Sequence, residues 1–383
     1  MLGRLERRWG LTVVVVAAAA LLVRVAVIAA SGGGFDLDVY VHFARLAAAG
    51  RNPYDVGDVD PIGSQEAVNL PFEHLLFAGL LKLHDSPDTL RYFLALCDTA
   101  TVAIVGLWPG RPTAWRLALM TFFAFSPFVL YSWTGHAEDK SLLFLGITVL
   151  LILLERGRWA GAWVVTAALA AFKWIGAFWA APLALATYRA RGLRAAVIAA
   201  AGFALVFALA HLPWLPESLD AYEHRSDRLG LDPPLHAALL KPLADIGLYD
   251  PAIARFGTLL LLGAVYLWYL RGGLAVTEAV VLSIVAAYLL LPDQSNNRIL
   301  QIALPVLFVI RITPWRMLWL WAVSFVAAAA LVVQLDGKLQ GALGEVFGDY
   351  GSLRHVIVMN TILLSVLIWF ALDRRDYGRA PRP

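Results

Sequence analysis

Residues 11–30 read LTVVVVAAAALLVRVAVIAA, and residues 31–55 continue SGGGFDLDVYVHFARLAAAGRNPYD. The first stretch carries one charge, Arg24, in an apolar run of about 20 residues, which is enough for a helix to cross a bilayer. The second stretch predicts a short amphipathic helix over 36–49, ended by the GRNPYD turn. The chain therefore leaves the membrane and at once presents two aspartates, Asp36 and Asp38.

The composition extends this interpretation to the whole chain. Of 383 residues, 60% are hydrophobic and 15% are charged, whereas soluble domains carry about 25% charged residues. Apolar runs recur to the C-terminus, which indicates a multi-pass membrane protein. The lone cysteine, Cys97, excludes an intrachain disulfide and a cysteine metal cluster.

We therefore predict an all-α, polytopic bundle of about 11–13 helices that forms a single domain over 1–383. Apolar segments that could cross the membrane lie at 11–30, 89–107, 114–131, 139–155, 159–172, 174–188, 195–211, 252–270, 274–291, 298–312, 315–334 and 354–372. The short pair on either side of Lys173 indicates a broken or re-entrant hairpin. Segment 71–84 carries Glu73, His74 and Lys82, which favours a half-membrane or surface helix.

Basic residues cluster between the apolar runs, in RLERR, RPTAWR, ERGRW, YRARGLR, RITPWR and DRRDYGR. This pattern reports topology and not nucleic-acid binding. With the N-terminus in the cytoplasm, every basic cluster falls inside and the C-terminus does too. The polar loops then lie outside, above all a first loop at 31–70 and a second at 212–251. A cleavable signal peptide is the alternative for 1–31, but its apolar run is long for that role.

The aspartates of the first loop are the first candidate catalytic residues. On a helix, Asp36 shares a face with Tyr40 and Phe43, and Asp38 lies on another face with His42. Two residues apart, the carboxylates cannot share one proton, so one is expected to react. The alternatives are a helix cap for Asp36 and a solvated surface position for Asp38.

Further polar residues border the expected outer loops. In YSWTGHAEDKSLLFLG, His136, Glu138, Asp139 and Lys140 begin an apolar helix, where carboxylates also serve as ordinary helix-terminal residues. His136 and Lys140 are four apart, which would place them on one face for a phosphate or sugar contact.

Lys173 stands alone in an apolar stretch, where the alternatives are snorkelling and phosphate binding. Arg298 follows a polar turn and could clamp a phosphate. Arg24 is a buried charge for which Asp36 or Asp38 is a conceivable partner. Arg225 and Arg228 are possible lid residues.

The sequence contains no Walker A motif, no glycine-rich dinucleotide loop and no HExxH motif. It therefore predicts no cofactor and no metal-binding residues, and it leaves open whether the activity depends on a divalent metal. An enzyme acting outside the cytoplasm needs a donor already in the membrane, and a polyprenyl-phosphate sugar meets that requirement.

An aspartate just outside the first helix, then VY, then an alanine-rich helix ending GRNPY, resembles the GT-C glycosyltransferases. Within that class, it resembles the actinobacterial polyprenol-phosphate-mannose-dependent mannosyltransferases and the catalytic subunit of glycosylphosphatidylinositol mannosyltransferase I. The order GHAEDKSLLFLGITVLLILLERGR, AGAW, AAFKW and AAP is similar to their middle region. The resemblance covers residues 10–190 well and the rest by layout.

The resemblance implies an inverting transferase in the cell membrane, with its active site outside the cytoplasm. It would move a sugar, mannose by resemblance, from a polyprenyl-phosphate donor to a lipid or glycan acceptor. Asp36, with Asp38 as the alternate, would be the general base. Lys173 and Arg298 would stabilise the leaving phosphate, and His136, Glu138, Asp139 and Lys140 would line the donor site.

The main alternative is a transporter or flippase of a lipid-linked or amphiphilic substrate. Arg24, Lys173 and Arg298 would serve it equally well. Transporters commonly contain paired broken helices, and the sequence offers one such break, near Lys173. A non-catalytic membrane scaffold is a further alternative, for which the polar loops are superfluous.

Overall fold

The computed structural model describes residues 8–55, 69–219, 234–236, 238–294, 302–335 and 352–377. These residues are almost entirely helical, which confirms the predicted α-helical class. The α-helices of five or more residues are α1 (Trp9–Ala30), α2 (Phe35–Ala48), α3 (Pro71–Leu83), α4 (Pro87–Gly106), α5 (Thr113–Phe125), α6 (Lys140–Glu155), α7 (Trp159–Phe172), α8 (Ala180–Arg191), α9 (Leu193–His211), α10 (Lys241–Asp245), α11 (Pro251–Leu270), α12 (Val276–Tyr288), one at 302–306, α13 (Pro314–Leu335) and α14 (Leu353–Tyr377). Two strands of two residues, β1 (Leu235–His236) and β2 (Asp293–Gln294), pair in parallel.

Six of the described helices are long and apolar enough to cross a membrane: α1, α4, α9, α11, α13 and α14. A seventh span results if α5 and the bent segment Pro127–Gly135 count as one. The twelve segments predicted from sequence all coincide with helix in whole or in part, but several are short. Helices α7 and α12 are apolar and span only 14 and 13 residues. The structure thus supports a multi-pass helical bundle with fewer full-length spans than predicted.

Two interruptions break the helical path. The predicted break at Lys173 is present: α7 ends at Phe172, Lys173 is extended, and a 3₁₀ helix follows over Trp174–Trp179. A second break follows α5, where the segment Pro127–Gly135, which ends in the π-helix Leu130–Gly135, is bent by 42° from α5. Because proline lacks an N–H and clashes with the preceding turn, it ends α5 at this point. The expectation of a single break was therefore wrong.

The basic loops share one end of the bundle. Trp9 donates a hydrogen bond to the Gly106 carbonyl, and Arg111 pairs with Glu155 and reaches the Phe308 carbonyl. Further contacts join that end: Arg316 pairs with Asp373, Arg374 with Glu278, and Arg189 donates to the Leu270 carbonyl. The basic residues within the described part of the chain therefore lie at one end, as the topology prediction requires.

Helices α2 and α3 pack together over the opposite end. Leu37, Tyr40 and Val41 of α2 join Phe77 and Leu81 of α3 in one apolar cluster. The predicted faces of α2 are confirmed, since Tyr40 is buried and Asp38 is exposed. Segment 71–84 is helical as predicted, but Glu73 and His74 are buried, so α3 is not a simple surface helix.

Arg24 is a structural residue of the bundle interior. Its guanidinium lies 3.3 Å from Asp98 Oδ2 and donates to the carbonyl oxygens of Ala20, Phe123 and Ala124. Thr134 also donates to Asp98. The expectation that Arg24 pairs with Asp36 or Asp38 was wrong. Arg24 instead pairs with Asp98 of α4, which lies 74 positions further along the chain.

Candidate functional site

The first element of the site is the start of α2, which rests directly on the 136–139 turn. A Cβ atom added to Gly34 would lie 2.7 Å from His136 Nδ1 and 3.1 Å from the His136 carbonyl oxygen. Only glycine therefore permits this approach. Because Asp36 follows Gly34 by two positions, this contact places Asp36 beside the polar residues that precede α6.

The second element is the turn between the π-helix and α6. Ala137 adopts a φ of 56° within it, a left-handed conformation that is rare for a residue with a side chain. Helix α6 begins at Lys140, with Asp139 in the N-cap position. His136 and Lys140 consequently do not share a helical face, contrary to the prediction, although His136 still lies close enough to Asp36 to interact with its charge.

Lys140 joins three carboxylates. Its Nζ atom lies 3.1 Å from Asp139 Oδ1 and 3.8 Å from Asp36 Oδ2, and it also donates to Glu138. Asp139 and Glu138 are buried, whereas the Asp36 side chain is 42% exposed. Asp36 therefore forms the accessible edge of the group.

Lys173 continues the network into the protein. Its Nζ atom pairs with Asp139, lies 3.2 Å from Glu73 Oε2 and donates to Asn69 Oδ1 at 3.1 Å. The break after α7 makes this possible, because Lys173 leaves the helix with extended backbone. The Lys173 side chain is 11% exposed, so it does not snorkel.

We call these residues the ion network: Asp36, Glu73, Glu138, Asp139, Lys140 and Lys173. It draws on α2, α3, the turn before α6, and the end of α7. All lie outside the six candidate spans. Five of its six residues were candidate site residues from the sequence, and the role of Glu73 was missed.

The protonation of the network follows from burial. Burial raises the pKa of Glu73 to about 8, against the opposing effect of Lys173. Burial, and next the charge of Asp36, raise the pKa of Glu138 well above its usual value. Burial alone would raise the pKa of Asp139 as well, but Lys140 and Lys173 hold it below its usual range.

Neighbouring acids of the network therefore differ in protonation. Burial favours the protonated form of Glu73 and Glu138, whereas the two lysines favour the ionised form of Asp139. The Glu138 carboxyl is also hydrogen-bonded to Asp36. This pairing of Glu138 with Asp36 was not predicted from the sequence.

His74 lies beside Glu73 in an aromatic pocket. Its ring contacts Phe43, Tyr54 and Trp214 at centroid distances of 5.7, 5.4 and 6.3 Å. Burial, assisted by the charge of Lys173, lowers the His74 pKa to about 3. His74 is therefore neutral over the physiological range. The sequence signal for both residues was their position in an otherwise apolar helix.

The remaining candidate residues lie apart from the ion network or outside the described part of the chain. Asp38 is exposed and makes no ion pair within the described part of the chain. Arg225, Arg228 and Arg298 lie outside the described residues. Among the described residues there is no group of three or more His, Cys, Asp or Glu side chains suited to a metal ion.

Lys173 differs from its predicted role. Its ammonium nitrogen lies within ion-pair distance of Asp139 and Glu73 and donates a hydrogen bond to Asn69. An ammonium held between two buried acidic side chains is less available as a ligand for a phosphate. Lys140, 13% exposed and beside Asp36, is the cation of the network that lies nearest its accessible edge.

Comparison of the chain with models of known protein families and with curated proteins gives no match.

Proposed function

We propose that the protein is an inverting glycosyltransferase that uses a polyprenyl-phosphate sugar, with Asp36 as its general base. One observation carries the proposal: Asp36, half-exposed, lies 3.8 Å from Lys140 at the edge of a buried ion network. The resemblance to GT-C enzymes implicates the first outer loop, the turn before α6 and Lys173. All three contribute to this network.

The reaction is a single displacement at the anomeric carbon. The acceptor hydroxyl oxygen forms a bond to that carbon, and the bond from the carbon to the phosphate oxygen breaks. Polyprenyl phosphate leaves with the electron pair, and the hydroxyl proton passes to the Asp36 carboxylate. Asp36 suits this role because it is accessible, whereas Asp139 and Glu73 are buried.

Lys140 is the residue that we assign to the leaving phosphate. Its contact with Asp36, at 3.8 Å, is longer than its 3.1 Å contact with Asp139 and is the one most readily exchanged for a phosphate oxygen. Lys173 and Asp139 hold Lys140 in position. Mannose as the sugar, and a lipid or glycan as the acceptor, follow from the resemblance alone.

The test uses purified protein in nanodiscs with radiolabelled polyprenyl-phosphate-mannose and a membrane lipid extract as acceptor. We expect transfer by the wild type, loss of transfer in Asp36→Asn, and near-wild-type transfer in Asp38→Asn, the matched control on the exposed face of α2. Full activity of Asp36→Asn would overturn the assignment of the base.

A second candidate, a transporter of an amphiphilic substrate, is favoured by the two interruptions, at Pro127 and at Lys173. Broken helices near a substrate site are typical of transporters. Movement of a fluorescent polyprenyl-phosphate lipid between leaflets of proteoliposomes, without sugar transfer under any donor, would favour this candidate over the enzyme.

A further inference from the structure

A groove lies at the end of α6, α7, α8 and α9 that is remote from the ion network. Helix α6 leaves the network at Lys140 and α7 returns to it at Phe172, so their connection at 156–158 is at the far end. The connection between α8 and α9, at Gly192, lies beside it. The groove encloses about 1010 Å³, comparable with the upper range of small-molecule pockets, about 1,000 Å³.

The walls of the groove are apolar and aromatic. Trp163 and Phe203 meet edge to face across it with ring centroids 5.9 Å apart, and Ile198 and Val206 continue the wall along α9. Such a surface suits a hydrocarbon chain. Among the described residues, the charged side chains that line the groove are confined to one end.

Three arginines, Arg156, Arg158 and Arg191, line the end of the groove near the two connections. All are exposed, and none makes an ion pair within the described ranges. The adjacent acid, Glu155, is engaged by Arg111 and by the Trp108 indole N–H. The three guanidinium groups are therefore available to an external anion.

The groove also opens toward lipid. Helix α9 is a candidate span of which only 17% of the apolar window is buried. Its outward residues are large and apolar, among them Leu193 (67% exposed), Leu205 (59%) and Leu209 (55%). A ligand can thus enter the groove sideways from the bilayer.

We propose that this groove binds an anionic phospholipid of the surrounding membrane. The phosphate lies against Arg156, Arg158 and Arg191, and an acyl chain follows Trp163, Ile198 and Phe203. One guanidinium group can donate two parallel hydrogen bonds to two oxygens of a phosphate. Basic pockets between membrane helices accordingly favour anionic headgroups. A zwitterionic lipid has the same chains but brings a cation to the arginines, so the groove discriminates against it.

The experiment measures lipid retention by native mass spectrometry of detergent-purified protein offered equimolar phosphatidylglycerol and phosphatidylcholine. We expect the wild type to retain phosphatidylglycerol preferentially. The triple variant Arg156→Gln/Arg158→Gln/Arg191→Gln should bind it about a hundredfold more weakly, since each basic residue near an anionic headgroup is worth about a factor of five. Arg194→Gln, an exposed arginine at the same end that does not line the groove, is the matched control and should behave as wild type.

A second variant tests the apolar part independently. A Cβ at Gly202, which lines the groove, has no atom within 4 Å, so Gly202→Leu should fold normally and obstruct the acyl chain. Equal retention of both lipids by the wild type, or unchanged retention in the triple variant, would overturn the proposal. So would thermal stabilisation by inorganic phosphate equal to that by phosphatidylglycerol, because the groove would then be an anion site without lipid selectivity.

Discussion

The Nζ atom of Lys173 lies 3.2 Å from Oε2 of Glu73, which joins the end of α7 to α3 inside the protein. Neither residue is exposed enough for water to replace its partner. Because Lys173 also pairs with Asp139, it is the residue on which the buried half of the ion network depends.

Lys173→Met should destabilise the protein strongly. It leaves the ionised Asp139 buried without one of its two cations, and breaking a buried ion pair in this way costs on the order of 3 kcal/mol. Thermal unfolding followed by tryptophan fluorescence in detergent would measure this. Lys82→Met, at an exposed position on α3, is the control and should unfold with the wild type.

The pH dependence of stability should report Glu73. Its raised pKa means that the folded protein holds this proton more tightly than the unfolded chain does. The resulting stabilisation is complete below the usual value of 4.5 and is lost as the pH rises through about 8. Glu73→Gln, which cannot ionise, should lose less stability than the wild type between pH 6 and pH 9. Parallel melting curves for the two proteins across that range would contradict the assignment.

Glu138→Gln and Asp139→Asn should have very different effects on the rate of sugar transfer, although the two residues are adjacent. Glu138 is expected to be protonated at neutral pH, so an amide preserves its hydrogen bond to Asp36, and that bond is worth about 1 kcal/mol. Transfer rates should therefore stay close to wild type. Asp139 is ionised and faces two lysines, so its amide should abolish transfer. The same radiolabel assay measures both, and equal losses would show that Glu138 also acts as a charge.

Gly34→Ala should disturb the site, whereas Gly32→Ala should not. The new methyl at position 34 would meet His136 at 2.7 Å, while a methyl at position 32 meets nothing within 4 Å. Overpacking of this kind costs about 1–3 kcal/mol, and here it would push Asp36 away from Lys140. Reduced transfer in the first variant with normal transfer in the second is the expected outcome.

Periodicity and apolar length predicted much of the fold. The limits of α7 match the predicted segment 159–172, and α1, α4 and α9 differ from theirs by about two residues, because a helix in lipid must satisfy its own backbone and so carries a strong local pattern. The bend at Pro127 was missed, although the proline was a visible signal. Partners such as Asp98 for Arg24 could not be found, since pairing across helices leaves no mark in local spacing.

For the candidate site too, the sequence predicted individual residues better than the contacts between them. The sequence brought forward Asp36, Asp139 and Lys173 because a charge beside an apolar run needs an explanation. The resemblance assigned them to one active site, but their spacing predicted no direct contact between them, and Glu73 was left on an expected half-membrane or surface helix. Which charges meet depends on how α3 packs against α2 and α7, and that is decided by side chains far apart along the chain.

The order of synthesis gives the ion network a further consequence. Asn69 and Lys173, which share a hydrogen bond, are separated by 104 positions. Glu73 likewise precedes Lys173 by about 100 positions. During membrane insertion α3 emerges with an acidic side chain whose counter-charge has yet to be made. A nascent chain that ends before Lys173 is therefore expected to keep Glu73 protonated or in contact with water, because an unpaired buried charge is costly.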